Sequence, residues 1–194
     1  RPDYQDMTFK KQLDETKEMI TPIKRHIWRR AVKFTNSYEN VMTKYSGQIS
    51  RAYFKMIEIL KDFDLEFANQ QSLTTLHLCE GPGGFIQALV ELRKKQQNEL
   101  NWTGITLKNE NDDPNLPDFM KGLGDTGTIT YGEDGTGDLT KIENIKYLGK
   151  MFEQNDMAQL ITADGGFDVS NDHCSQETQS YKLMLCQVVS AIEC

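Results

Sequence analysis

The chain has 194 residues, 38% of them hydrophobic and 26% charged, which suits one globular domain with a substantial core. Its 29 acids against 22 bases give a formal charge of −7. That excludes indiscriminate coating of nucleic acid, so any nucleic-acid site must be a local basic patch.

Residues 1–22 are polar and weakly helical, with Pro22 as a break or a helix start. The next stretch carries the basic cluster "IKRHIWRRAVK" (23–33), which places Arg25, Arg29 and Lys33 on one helical stripe with Trp28 interleaved. A solvated helix face is the ordinary explanation of such a stripe. As the densest positive patch of an acidic chain, Arg25, Arg29, Arg30 and Lys33 are also the candidates for an RNA-phosphate contact. Residues 1–45 are therefore expected to form an N-terminal helical extension, with the main domain over 46–194.

"SGQISRAYFKMIEILKDF" (46–63) reads as an amphipathic helix. Tyr53, Met56, Ile57 and Leu60 share one face, and Arg51, Lys55, Glu58 and Asp62 the other. Periodicity alone makes Lys55 a solvated surface lysine. "LTTLHLCE" (73–80) predicts a strand, followed by a glycine turn and a helix over 85–95. The closing Arg93, Lys94 and Lys95 suit a helix C-terminus. "NWTGITLK" (101–108) predicts a second strand. Residues 109–137 are rich in glycine and proline and are expected as loop. "DLTKIENIKYLGKMFEQ" (138–154) looks helical, "AQLITADGG" (158–166) is a third strand, and a last helix starts with Ser175 as N-cap. Strands alternating with helices predict an α/β fold around a mostly parallel sheet.

Cys79, Cys174, Cys186 and Cys194 lie far apart and include no C-x-x-C pair, which reads as a reducing, intracellular protein. The neighbours His173 and Cys174 have no second pair at ligand spacing, so no metal site is expected. No apolar run approaches the roughly 18–20 residues of a membrane-spanning helix, and no secretory signal opens the chain. A first residue of Arg instead of Met leads to the expectation of a fragment or a processed product.

The turn "EGPGG" (80–84) narrows the ligand. A P-loop needs a Lys-Ser or Lys-Thr after its glycines, and none follows Gly81. A dinucleotide turn needs a third glycine where Ile86 stands, and Glu80 would repel a pyrophosphate. Pro82 also removes a backbone donor that phosphate oxygens would use. S-adenosylmethionine fits better, because it has no phosphate and carries a sulfonium and an ammonium group. A tight turn with no ligand is the plain alternative. Likewise Asp164, before Gly165 and Gly166, could be a turn-forming residue, and Asp138 a helix N-cap.

"SRAYFKMIEI" (50–59), "LHLCEGPGGF" (76–85) and "LITADGGFDV" (160–169), in this order, resemble the motifs of FtsJ-type RNA ribose 2′-O-methyltransferases. "WTGITLK" (102–108) and "GEDGTGDLTKIENI" (132–145) look most like the branch that methylates the mRNA cap, cellular or viral. The resemblance implies a Rossmann-like fold that takes S-adenosyl-L-methionine. It implies Lys55 and Asp164 as catalytic residues. It also implies cofactor contacts from Glu80, Gly81, Pro82, Gly83, Gly84 and Phe85, from Thr106 and Leu107 at the end of the second strand, and from Asp138 and Leu139. Many methyltransferases carry an acid for the ribose hydroxyls where this chain has "TLK", so ribose recognition there is expected to rest on backbone groups. The family uses a Lys-Asp-Lys-Glu tetrad. Its second lysine and its glutamate are expected beyond Cys194, in a C-terminal part missing from this chain.

The implied partner is RNA, most of all capped mRNA, with capping or transcription machinery as a further partner, in the nucleus or cytoplasm and not at a membrane. The alternatives are a ribosomal or transfer RNA 2′-O-methyltransferase, and an inactive member kept as an RNA-binding scaffold. In this chemistry the sulfonium already activates the methyl group, so the protein must position the hydroxyl and help remove its proton. Positioning alone is worth about 7–11 kcal/mol. A free lysine, with a pKa of about 10.4, is no base at neutral pH. The expectation is therefore that Asp164 orients lysine and that Lys55 holds or polarises the hydroxyl.

Overall fold

The structure is a computed structural model that describes residues 4–35, 47–63, 70–110, 118–119, 123, 126–154, 157–166 and 176–194. Ser175, His173 and Cys174 lie outside the described residues. The chain divides into two compact units, Arg1–Ser46 with Phe167–Ser180, and Gly47–Gly166 with Tyr181–Cys194.

The first unit contains α1 (Tyr4–Glu18) and α2 (Arg25–Thr35). Helix α2 has no buried residue. Its basic side chains Arg25, Arg29, Arg30 and Lys33 all face solvent, and Phe34 is 89% exposed.

The second unit holds α3 (Arg51–Asp62), β1 (Ser72–Leu78), α4 (Gly84–Gln96), β2 (Glu99–Ile105), β3 (Gly127–Thr130), α5 (Ile142–Gln154) and β4 (Leu160–Ala163). The last helix, α6 (Gln176–Glu193), contributes its part from Tyr181 onward. Four strands form one sheet in the order β3-β2-β1-β4, all neighbours parallel. The strand β3 lies inside the stretch expected as loop. It is only four residues long and holds Gly127, whose missing Cβ leaves room for the Trp102 ring. Strong turn formers around so short a strand hide it from pattern reading. Helix α5 begins at Ile142 instead of 138, because the residues before it are used in a hydrogen-bonded turn described below.

A parallel strand covered on both faces alternates between two cores. Leu73, Leu100 and Trp102 join Tyr53, Met56, Phe85, Ile86 and Leu89 on the α3/α4 side. Leu76, Leu78 and Ile105 join Leu148, Phe152 and Leu183 on the α5/α6 side. Arg93 was expected merely to complement a helix end, yet it is only 1% exposed. Its Nε and Nη2 donate to the Glu99 carbonyl at 3.1 and 2.7 Å, closing the turn from α4 into β2.

The chain runs outward from β1 to β2 to β3 and then returns to place β4 on the other side of β1. Open α/β sheets leave a crevice where the order reverses, at the carboxyl ends of the strands. Here those ends are Leu78 and Ala163, which pair in register. Just below them His77 is fully buried, its Nε2 2.9 Å from the Thr75 hydroxyl and its Nδ1 2.7 Å from the Thr162 hydroxyl. Burial pushes its pKa down to about 3, so the imidazole is a neutral pin between β1 and β4.

Candidate active site

After β1 the backbone turns sharply. Cys79 takes a left-handed conformation with φ 56°, and the Glu80 N–H donates to the Ile105 carbonyl at 3.1 Å. The Gly81–Pro82 peptide is cis, and Gly83 has φ 112°, a value that suits glycine. The Glu80 side chain then folds back under the turn. Its Oε1 accepts from the N–H groups of Phe85 at 2.7 Å and Ile86 at 3.2 Å. Helix N-termini favour an anionic acceptor, so Glu80 caps α4 from outside the helix. Glu80 is 5% exposed. Burial pushes its carboxyl up to about 7, with the charge of Asp164 adding to the rise and the two amides opposing it.

Gly84 has a different task. A Cβ there would run into the Ser50 hydroxyl, and would lie 2.8 Å from the Tyr53 backbone nitrogen and 3.0 Å from the Ala52 Cβ. This glycine lets α3 lie against the first turn of α4. The motif that suggests a ligand turn thus also docks the helix bearing Lys55.

Helix α3 carries Lys55 to the crevice. Its Nζ lies 2.5 Å from Oδ2 of Asp164, the residue directly after β4. The two are 109 positions apart in sequence, and their side chains are 55% and 41% exposed. Behind Asp164, the Gly165 N–H donates to Gln187 Oε1 at 3.3 Å, and a Cβ at Gly165 would meet the Cys79 Sγ at 2.7 Å. Burial pushes the Cys79 thiol up to about 12, with the charges of Asp138, Cys186 and Glu80 adding to it. The charges of Asp138 and Glu80 thus both act on Cys79 at the end of β1, that of Asp164 acts on Glu80, and Lys55 pairs with Asp164.

The third wall is the turn 131–140. Gly137, at φ 71°, has no room for a Cβ because the Thr106 carbonyl occupies that place. The Lys108 N–H donates to the Thr136 carbonyl at 2.8 Å, tying this turn to the end of β2. Asp138 Oδ1 accepts from the Thr140 N–H and hydroxyl, each at 2.8 Å, so it caps a turn that precedes α5 and not the helix itself. Asp134 accepts from Thr136, from Asn144 Nδ2 at 2.9 Å and from Lys141 Nζ at 2.5 Å, which holds its carboxyl well below the usual carboxylate range. The buried Asn144 also donates to the Asp138 carbonyl at 2.9 Å.

Of the residues expected at the cofactor, Glu80, Gly81, Pro82, Gly83 and Gly84 form one turn, and Thr106, Leu107 and Asp138 lie where β2 meets the 131–140 turn. Phe85 and Leu139 are different, since both side chains are buried in the two cores. Only their backbone could face a ligand. Sequence reasoning missed Asn144, Asp134 and Gln187. The density of Asp, Gly and Thr in "GEDGTGD" signalled a turn of this kind, whereas nothing in the sequence distinguished Gln187.

An α/β sheet with helices on both faces, an acid-glycine turn at the reversal of strand order and a Lys–Asp contact over it define a Rossmann-like methyltransferase-type domain. Residues 48–194 match the family described as FtsJ-like methyltransferase, and the chain belongs to that family. The family takes S-adenosyl-L-methionine as its methyl donor.

The chain is 28% identical over 200 residues to cap-specific mRNA (nucleoside-2′-O-)-methyltransferase 2 of Pongo abelii, covering 96% of this chain and 26% of that protein. It is 36% identical over 130 residues to cap-specific mRNA (nucleoside-2′-O-)-methyltransferase 1 of Trypanosoma brucei brucei, covering 63% and 32%. A putative ribosomal RNA methyltransferase structure from Plasmodium falciparum aligns at TM-score 0.45 and 19% identity, covering 72% of this chain and 68% of that one. The chain thus spans between about a quarter and a third of the two sequence relatives, 26% and 32%.

The donor set fits this cofactor. Three carboxylates around a bend of small residues form a negative, phosphate-averse cradle, and a buried Glu80 with its carboxyl raised to about 7 would be relieved by a cation.

Proposed function

We propose that this domain transfers a methyl group from S-adenosyl-L-methionine to a ribose 2′-hydroxyl of RNA, with the 5′ cap of mRNA as its substrate. The observation that carries the reading is the contact between Lys55 and Asp164 beside the Glu80 turn. In this reading Glu80 to Gly84 would hold the methionine end of the cofactor. The backbone of Thr106 and Leu107, with Asp138, would hold its nucleoside. When bound, the cofactor supplies a methyl carbon already activated by its sulfonium. The chain's own part is to hold the hydroxyl. The Lys55 ammonium donates to the 2′-oxygen, Asp164 fixes where that ammonium stands, and the hydroxyl proton is released to solvent as the oxygen takes the methyl group. The names of the sequence relatives support the cap as substrate. A cap substrate would place the protein in the nucleus or cytoplasm, near capping or transcription machinery.

The test is transfer of labelled methyl from the cofactor to capped and uncapped transcripts of one sequence. Capped RNA is expected to accept strongly and uncapped RNA weakly. Equal acceptance would shift the substrate to structured RNA of the ribosomal or transfer class. Binding of RNA without any transfer would leave an inactive scaffold.

RNA phosphates are assigned to the exposed basic face of α2, Arg25, Arg29, Arg30 and Lys33. Each phosphate contact contributes about 0.7 to the slope of log affinity against log salt for single strands. Replacing Arg25, Arg29 and Lys33 with Glu should therefore flatten that slope by about 2 in filter-binding titrations, while cofactor affinity stays constant. An unchanged slope removes α2 from the RNA path.

A further inference from the structure

Gln87 lies on α4, three residues after Gly84, and has no role in the chemistry described so far. Its carboxamide faces the segment that leads into α3. Oε1 accepts from the Ile49 N–H at 2.8 Å, and Nε2 donates to the Gly47 carbonyl at 2.8 Å. One side-chain amide therefore pairs with the backbone of residues 47–49 through both its donor and its acceptor, much as a neighbouring strand would. Nε2 also donates to Glu91 Oε1 at 3.1 Å, one helical turn on. The other oxygen of Glu91 accepts from the Tyr53 hydroxyl at 2.7 Å. Tyr53 is two residues before Lys55, and its hydroxyl is pushed up to about 12, by burial first and by the Glu91 contact second, so it stays a donor across the working range.

These bonds have a common effect. Helix α3 has no side-chain N-cap of its own, and among the described residues the buried Ser50 hydroxyl has no hydrogen-bond partner. Its start is held from outside by Gln87, by Glu91 through Tyr53, and by the close approach at Gly84. All three belong to α4, the helix that begins at the cofactor turn and whose first amides bind Glu80. The helix bearing Lys55 and the turn assigned to the methyl donor are thus bolted to a single rigid element.

We propose that Gln87, acting with Glu91 and Tyr53, is a positioning residue that sets the height of Lys55 over the cofactor turn. This rests on the methyl-transfer function proposed above. A misplacement of about 1 Å in a reacting group can cost on the order of 10²-fold in rate without touching binding.

The test uses Gln87→Met, which keeps length and removes both polar ends, and Tyr53→Phe, which removes one hydroxyl from a packed ring. Three quantities are measured on the whole protein: turnover with capped RNA, the KM for that RNA, and cofactor affinity by calorimetry. Turnover is expected to fall at least tenfold in Gln87→Met and several-fold in Tyr53→Phe, with cofactor Kd and RNA KM unchanged. Turnover equal to wild type in both variants overturns the positioning role and leaves the function standing. A loss of turnover that merely follows a loss of cofactor-binding stoichiometry, or a parallel rise in cofactor Kd, also overturns it, since the role would then be one of folding only. No transfer by the wild-type protein overturns the function itself, and this inference with it.

Discussion

Replacing Lys55 with Ala, or Asp164 with Ala, is expected to lower methyl transfer by about 10²–10³-fold, the range usually lost with one preorganised hydrogen-bond donor at a reacting oxygen. Stability should hardly change. The pair is roughly half exposed, and exposed ion pairs contribute only about 0–1 kcal/mol. Cofactor affinity should also survive in Lys55→Ala. Removing one positive charge from among Glu80, Asp138 and Asp164 makes the cradle more negative, which does not disfavour a cationic ligand. The signature of Lys55→Ala is thus a collapse of turnover with unchanged melting temperature and unchanged or tighter cofactor binding. Lys55→Arg is a sharper probe. It keeps the charge but replaces a compact ammonium with a planar fork, which meets Asp164 in a different geometry. Turnover in Lys55→Arg should stay within tenfold of Lys55→Ala. Near-normal transfer in both Lys55→Ala and Asp164→Ala would remove the pair from the chemistry.

Cofactor binding is expected to weaken about tenfold between pH 8 and pH 6, and Glu80 is the reason. In the free protein its carboxyl is raised to about 7, by burial and then by Asp164, against the pull of the Ile86 and Phe85 amides. A raised carboxyl binds more protons in the folded state than in the unfolded one. Its contribution to folding is therefore most favourable below the ordinary value near 4.5 and is lost as pH rises through about 7. Binding of a cation runs the other way, because it selects the ionised carboxylate. Above pH 7 that form is already present, and below it a proton must leave first, so affinity falls by up to about tenfold per pH unit. Glu80→Gln removes this titration and keeps an acceptor oxygen for the amides of Phe85 and Ile86. The variant should bind the cofactor more weakly at pH 8 and show a flatter profile. The ligand's own amino group titrates in both proteins, so the difference between the two profiles isolates Glu80. Calorimetry at pH 6, 7 and 8 decides the matter. Parallel profiles would mean that Glu80 only caps α4 and does not meet the cation.

Pattern reading reached the alternation of strands and helices and the turn at Glu80–Gly84, and the family resemblance marked the stretches around Lys55 and Asp164. These are local properties. A strand, a tight bend and an amphipathic helix each leave a short-range signature in residue type and spacing. The strand Gly127–Thr130 left none, because its pairing to β2 and the room for Trp102 come from a neighbour across the sheet. The same periodicity that located α3 also made Lys55 an ordinary solvated lysine. It is indeed exposed, and only the contact with Asp164, 109 positions away, sets it apart.

The residue types around Glu80 favoured a cationic, phosphate-free ligand over a phosphate-bearing one, since charge and backbone freedom are carried by the residues themselves. The rest was decided by tertiary structure. Folding turned Glu80 inward to brace α4, gave Gly84 the further task of letting the helix of Lys55 approach, and placed the side chains of Phe85 and Leu139 in the core. It also gave an unremarked glutamine on α4 two backbone partners some 40 residues upstream. Such outcomes depend on which surfaces meet when the sheet closes, and a side chain's partners across that distance are not encoded in its neighbours along the chain.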